Sequence, residues 1–142
     1  MTAMLDTAFF DTNLFLYAYS KASEDREKRA IARSLFECHL PIISTQVIQE
    51  FISASLRKPA LGIDEEKLDV FLSFCNTLQI QTMTLDTLLF ATALRRRFSI
   101  SHWDSSILAS AHAAGCPVVF SEDLQHGFQL EHLRIHNPFH HS

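Results

Sequence analysis

A chain of 142 residues has the length of one domain and can bury a full core. Hydrophobic residues make up 47% and charged residues 20%, which excludes a disordered polymer, and no apolar run approaches the roughly 20 residues that cross a bilayer. A net charge of −4 excludes a protein that holds nucleic acid by bulk electrostatics, so any such activity must come from a local patch or site.

The opening MTAMLDTAFF lacks a basic n-region and carries Asp6, so no secretory signal is expected. Ala8 to Phe10 reads as a short strand ending at Asp11, followed by a helix from Thr12 to about Tyr19. Ser23-Glu24-Asp25 reads as the start of a helix running to about Cys38, with Ala30, Ile31, Leu35 and Phe36 as its apolar stripe. Pro41 is read as the break, and Leu40 to Ser44 as a second buried strand. A helix over Thr45–Leu56 stops at Pro59 and Gly62, and Asp64-Glu65-Glu66 opens another that reaches Thr77. A strand near Leu78–Met83 leads into a helix over Asp86–Phe98, ending in Arg95-Arg96-Arg97. Trp103–Ala114 is helical, closed by Gly115 with Pro117 beyond it. Pro117–Ser121 and Leu133–His136 read as strands, and the His-rich tail, about residues 137–142, as mobile. Short apolar strands alternating with helices predict a single three-layer α/β/α sandwich around a mostly parallel sheet.

Three glycines at wide spacing exclude a glycine-rich dinucleotide loop and a P-loop. Cys38, Cys75 and Cys116 are an odd count with no zinc spacing, and each reads as a free thiol in a core. A reducing cytoplasm suits that usage.

Carboxylates carry the chemistry. In open parallel sheets ligands bind beyond the carboxyl ends of the strands, and Asp11 and Asp123 follow two strands there. Either one alone reads more readily as a helix cap. Glu50, however, falls on the flank of a stripe centred on Ile48 and Phe51, beside Val47 and Ala54. Asp104 shares a face with Ile107, Leu108 and Ala111. Four converging carboxylates would raise one another's pKa, and a hard divalent ion, Mg²⁺ or Mn²⁺, removes that conflict. Hydrolysis of a phosphodiester is the chemistry such a site supports.

These residues also carry a resemblance. The run Phe9-Phe10-Asp11-Thr12-Asn13-Leu14-Phe15-Leu16-Tyr17-Ala18 resembles the opening of PIN-domain nucleases. Ser44–Phe51 looks like their second acidic motif, His102–Ala111 their third, and Ser121-Glu122-Asp123 their fourth. Within the family the chain looks most like VapC toxins of bacterial toxin–antitoxin pairs. The resemblance implies a Mg²⁺-dependent endoribonuclease with Asp11, Glu50, Asp104 and Asp123 as the acidic quartet. Asn13 would support the ligands from behind, and Ser121 would hydrogen-bond a site carboxylate. Choosing Asp123 over Glu122 follows the motif's form. A homodimer neutralised by a VapB-like antitoxin is implied as well.

Arg95, Arg96 and Arg97 read either as a solvated helix end that complements the dipole or as contacts to RNA phosphates. Trp103 reads either as a core wall or as a stack for an unpaired base. His126, His136, His140 and His141 form no ligand spacing on one element. A haloacid-dehalogenase-like phosphatase would need a second Asp where Asn13 stands and a late lysine, yet none follows Lys67. A receiver domain lacks the same lysine. The remaining alternatives are a PIN nuclease that is no toxin, and a catalytically silent interaction module.

Overall fold

The computed structural model describes residues 5–141, so the first four residues of the expected signal-free start and the last of the tail lie outside it. Strands β1 (Asp6–Phe10), β2 (His39–Ser44), β3 (Gln79–Gln81), β4 (Val118–Phe120), β5 (Gln129–Leu130) and β6 (Leu133–His136) form one sheet in the order β3-β2-β1-β4-β6-β5. All pairings are parallel except β5 with β6. Six α-helices connect them: α1 (Thr12–Tyr19), α2 (Arg26–Cys38), α3 (Thr45–Arg57), α4 (Glu65–Cys75), α5 (Leu85–Phe98) and α6 (His102–Ala113).

The strand order fixes where a site can lie. From β1 the chain moves outward through β2 to β3, then returns across the sheet to place β4 on the other side of β1. Right-handed crossovers put the helices of the outward path on one face and those of the return on the other. Accordingly α1 packs on α2 and α3, and α3 on α4, while α5 packs against α6. The order reverses between β1 and β4, where the two crossovers part and open a crevice at the carboxyl ends of the strands.

Apolar strands bury both faces of this sheet. Phe9, Phe10, Phe15, Phe51 and Phe71 are fully buried, with Phe51 stacked on Phe71 at a centroid distance of 3.7 Å. Burying each such ring contributes about 1.5–3 kcal/mol.

Several sequence readings are corrected. Helix α2 ends at Cys38 and β2 contains Pro41, both as expected, but the chain turns straight from helix to strand at His39, so Pro41 is not what breaks the helix. Strand β3 pairs only with Ile42–Ser44, so the N–H that Pro41 lacks costs no ladder bond on that side. The side of α2 that packs inward presents Ala32, fully buried, where Ala30 was expected. Cys75 and Cys116 are buried, but Cys38 is exposed at the end of α2. Within the His-rich tail Phe139 is buried, its ring edge-on to Tyr17 at 5.1 Å. Although His126, His136 and His140 are scattered in sequence, folding brings their rings together, with centroids 5.1 and 4.3 Å from His126.

Candidate active site at the carboxyl ends of β1 and β4

Asp11 is the first residue beyond β1. Its backbone N–H donates to the carbonyl of Phe120 at 3.0 Å, which stitches the ends of the two central strands together. One carboxylate oxygen accepts from the Thr12 N–H at 2.7 Å and so caps α1. The other accepts from the Ser121 hydroxyl at 2.7 Å. Capping is therefore real but uses only half of the group. Burial pushes the Asp11 pKa up from 3.8 to about 6, against the pull of these two hydrogen bonds, and the charges of Asp123 and Glu50 push the same way.

Glu50 projects from α3. The buried residues of that helix are Val47, Phe51, Ala54 and Ser55, so the stripe lies closer to Glu50 than a centre on Ile48 and Phe51 would put it. Both oxygens are held: Thr12 Oγ1 donates to Oε2 at 2.9 Å, and Gln46 Nε2 to Oε1 at 2.9 Å. Gln46 Nε2 also reaches the carbonyl of Trp103 at 3.3 Å, tying the first turn of α3 to that of α6.

Asp104 stands in the first turn of α6, where Ser101 caps the helix by accepting from the Asp104 N–H at 3.0 Å. Ile107, Leu108 and Ala111 on the same face are buried, as the spacing predicts. Desolvation raises the Asp104 pKa, Ser101 pulls it back, and Asp123 and Glu50 raise it further. Asp11 and Asp104 thus share the same two acidic neighbours, which makes the four carboxylates one electrostatic group drawn from both helical layers.

The loop after β4 separates two adjacent acids. Asn13 Nδ2 donates to Asp123 Oδ2 at 3.1 Å, while Asn13 Oδ1 accepts from the Glu122 N–H at 3.2 Å. Glu122 turns to a different set: Tyr17 donates to Oε1 at 2.5 Å and Lys28 to Oε2 at 2.6 Å. Its charge is thereby answered by a lysine. Among the described residues, no Lys, Arg or His pairs with Asp11, Glu50, Asp104 or Asp123.

The quartet is a loose group. Among the described residues, the one trio of potential ligands whose donor atoms all lie within 4.8 Å of one another is His112, Glu131 and His132, with His112 standing in the last turn of α6. Like charges keep ionised carboxylates apart, and a hard cation that retains several waters needs no closed cage. Asp11 and Asp104, desolvated and with raised pKa values, together with Glu50 and Asp123 beside them, none ion-paired among the described residues, fit a hard divalent ion.

Three cavities flank the quartet, one of about 360 Å³ lined by Asp104 and Asp123, and two that Glu50 lines. One, of about 430 Å³, is lined by Thr12, Asn13, Glu50 and Asp123 together with Arg57 and Lys58. The other, of about 520 Å³, shares Glu50 and is walled by Trp103. Arg57 and Lys58 were not singled out from sequence, because two cations at the end of a helix look like ordinary dipole complements. Arg97 lies over the ring of Phe98 and within the electrostatic reach of Glu131, which bonds His112. His112 is eight residues, or about 12 Å, along α6 from Asp104.

The comparisons agree with this architecture. A chain of a toxin–antitoxin complex from Klebsiella pneumoniae superposes with a TM-score of 0.69 at 17% identity, covering 94% of this chain and 98% of that one. VapC20 of Mycobacterium tuberculosis, a sarcin–ricin loop cleaving toxin, gives 0.67 at 15% identity over 82% and 92%. A chain of the DNA-bound VapBC from Salmonella typhimurium gives 0.68 at 20% identity over 95% and 99%. No curated protein sequence matches significantly. Residues 8–128, from β1 to the loop that carries Asp123, match the PIN-domain family model, and the chain belongs to that family.

Proposed function

We propose that this PIN domain is a divalent-metal-dependent endoribonuclease and the toxin of a VapBC-type pair. The observation that carries the reading is the convergence of Asp11, Glu50, Asp104 and Asp123 at the strand-order reversal, none of them ion-paired among the described residues. These four would hold Mg²⁺, with Mn²⁺ as a substitute. When bound, the ion polarises a phosphate oxygen and acidifies a water at neutral pH.

The chain's own residues set the stage for that chemistry. Thr12 and Gln46 fix both oxygens of Glu50, Asn13 fixes Asp123, and Ser121 fixes Asp11. Each bond removes rotamer freedom from a group that must meet the ion in one geometry. Arg57 and Lys58, on the wall of the cavity that holds Glu50 and Asp123, supply cationic contacts to the RNA backbone. In that role they stand closer to the quartet than Arg97, whose neighbours lie toward the other end of α6.

For the antitoxin, a groove of about 330 Å³ is lined by Phe15, Ala18, Tyr19, Phe36 and Phe74, with Arg33 and Lys67 on its wall. Apolar walls with two cations suit an amphipathic segment bearing acids. A homodimer and a cytoplasmic location belong to the same proposal. No helix among the described residues is long and apolar enough to cross a membrane.

The test is cleavage of structured RNA by purified protein. Products should form in Mg²⁺, vanish in EDTA, and vanish in Asp104→Asn, which keeps the size of the side chain and removes its charge. Cleavage that persists in EDTA or in the variant would refute the metal mechanism.

A further inference from the structure

The cavity of about 520 Å³ beside Glu50 differs in kind from the one that carries Arg57 and Lys58. Its lining includes Gln46, Gln49, His102, Trp103 and Ser106, with Glu50 as its one acid and no Lys or Arg. A wall with one acid and no Lys or Arg does not gather phosphate. It suits an uncharged, flat ligand with a polar edge.

Three features of the wall point the same way. Trp103 leaves 63% of its surface exposed, and its carbonyl is fixed by Gln46, so a large π-face stands in solvent on an anchored helix turn. Ser106 lies one turn further along α6, is only 2% exposed, and its hydroxyl has no hydrogen-bond partner. A buried hydroxyl left unpaired costs about 1–3 kcal/mol, and a serine in a helix usually escapes that cost by bonding back to a carbonyl. Gln49, on the facing helix α3, is exposed and makes no side-chain hydrogen bond to the described residues, so its amide offers a free donor pair and a free acceptor. An aromatic face with an unpaired hydroxyl and an unpaired amide opposite is the chemistry that stacks a base and reads its edge.

We infer that this cavity is a nucleobase subsite: Trp103 stacks on an unpaired base flanking the scissile phosphate, and Gln49 and Ser106 hydrogen-bond its edge. The assignment rests on the nuclease reading, because it is Glu50, shared by cavity and quartet, that places the base next to the reacting phosphate. The subsite sets sequence preference and the quartet supplies the chemistry. Ser106 and Gln49 therefore contact the base directly, and their loss alters which nucleotide is preferred.

Trp103 is the sole tryptophan of the chain, so its fluorescence reports on this cavity alone. In EDTA, where no cleavage occurs, the full-length protein is titrated with single-stranded homo-oligoribonucleotides of each base. Quenching that saturates and differs among the four bases is the expected result. Trp103→Ala should weaken binding of a labelled oligonucleotide by about fivefold to a hundredfold, the loss of one base–aromatic stack, and Trp103→Phe should restore most of it. Gln49→Ala and Ser106→Ala should leave quenching in place but narrow the differences among bases. In Mg²⁺ the same two variants should flatten the preference at one nucleotide beside the cut.

Quenching without any cleavage in Mg²⁺ would sink the nuclease reading and leave the base subsite standing. Cleavage with unaltered Trp103 emission would overturn the subsite and leave the nuclease. Emission that shifts with protein concentration but ignores RNA would mean that a second copy covers the cavity, which also overturns it.

Discussion

The Ser121 hydroxyl donates to the Asp11 carboxylate at 2.7 Å, linking residues 110 positions apart at the ends of adjacent parallel strands. The same oxygen accepts from the backbone N–H groups of Asp123 and Leu124 at 3.2 and 3.3 Å. One fully buried hydroxyl therefore orients the acid after β1 and shapes the loop that carries the acid after β4.

Ser121→Ala should cost about 1–3 kcal/mol, because it leaves a buried carboxylate oxygen without its donor and two amides without their acceptor. Urea denaturation at neutral pH checks this. A change within a few tenths of a kcal/mol would show that solvent reaches these groups.

Asp11 predicts a specific pH response. Its folded-state pKa of about 6 lies above its ordinary 3.8, so its contribution to stability is full below the ordinary value and lost as pH rises through the folded one. In EDTA, wild-type stability relative to Asp11→Asn should therefore fall between these two values. By pH 7 the variant should be the more stable, by up to about 3 kcal/mol. Adding Mn²⁺ should reverse the order, since only the native site with its charge intact gains from the ion. Parallel pH profiles for the two proteins in EDTA would show that Asp11 is not desolvated.

Thr12→Val removes a hydroxyl and keeps the shape of the side chain. Glu50 Oε2 then loses its donor, while Gln46 still holds Oε1. Mn²⁺ affinity measured by calorimetry should drop by about tenfold to a hundredfold, the usual penalty for losing a group that orients a ligand. Unchanged affinity would mean that Glu50 meets the ion without that bond.

Arg57 and Lys58 make an electrostatic prediction. Replacing both with alanine should weaken RNA binding across sequences and lower the slope of log K against log salt by nearly 2. The triple alanine variant at Arg95, Arg96 and Arg97 should change that slope less. The reverse ranking would move the RNA path to the end of α5.

Much of the fold was legible because strong local signals agreed with tertiary packing. Helix α1 and strand β6 have the bounds the pattern predicts, and both begin or end on strong polar punctuation. Pro41 sits inside β2, as the strand reading of Leu40–Ser44 has it, because the damage a proline does depends on how many neighbours the strand has at that point. Strand β5 was missed because two residues carry no period, and Glu131, in the left-handed region at φ 53, makes the turn without a glycine signal. At the site, Asp104 could be placed by helical phase. Nothing in sequence could show that Tyr17 and Lys28 draw Glu122 aside while Asn13 draws Asp123 toward the crevice. Those partners lie about a hundred residues away, at separations of 105, 94 and 110.

The most direct measurement is an anomalous difference map from crystals soaked in Mn²⁺. The expected result is a peak bonded to Asp11 and to at least two of Glu50, Asp104 and Asp123, absent from crystals of Asp11→Asn. A peak only at His112, Glu131 and His132, or none beside Asp11, would contradict a metal-dependent nuclease built on this quartet.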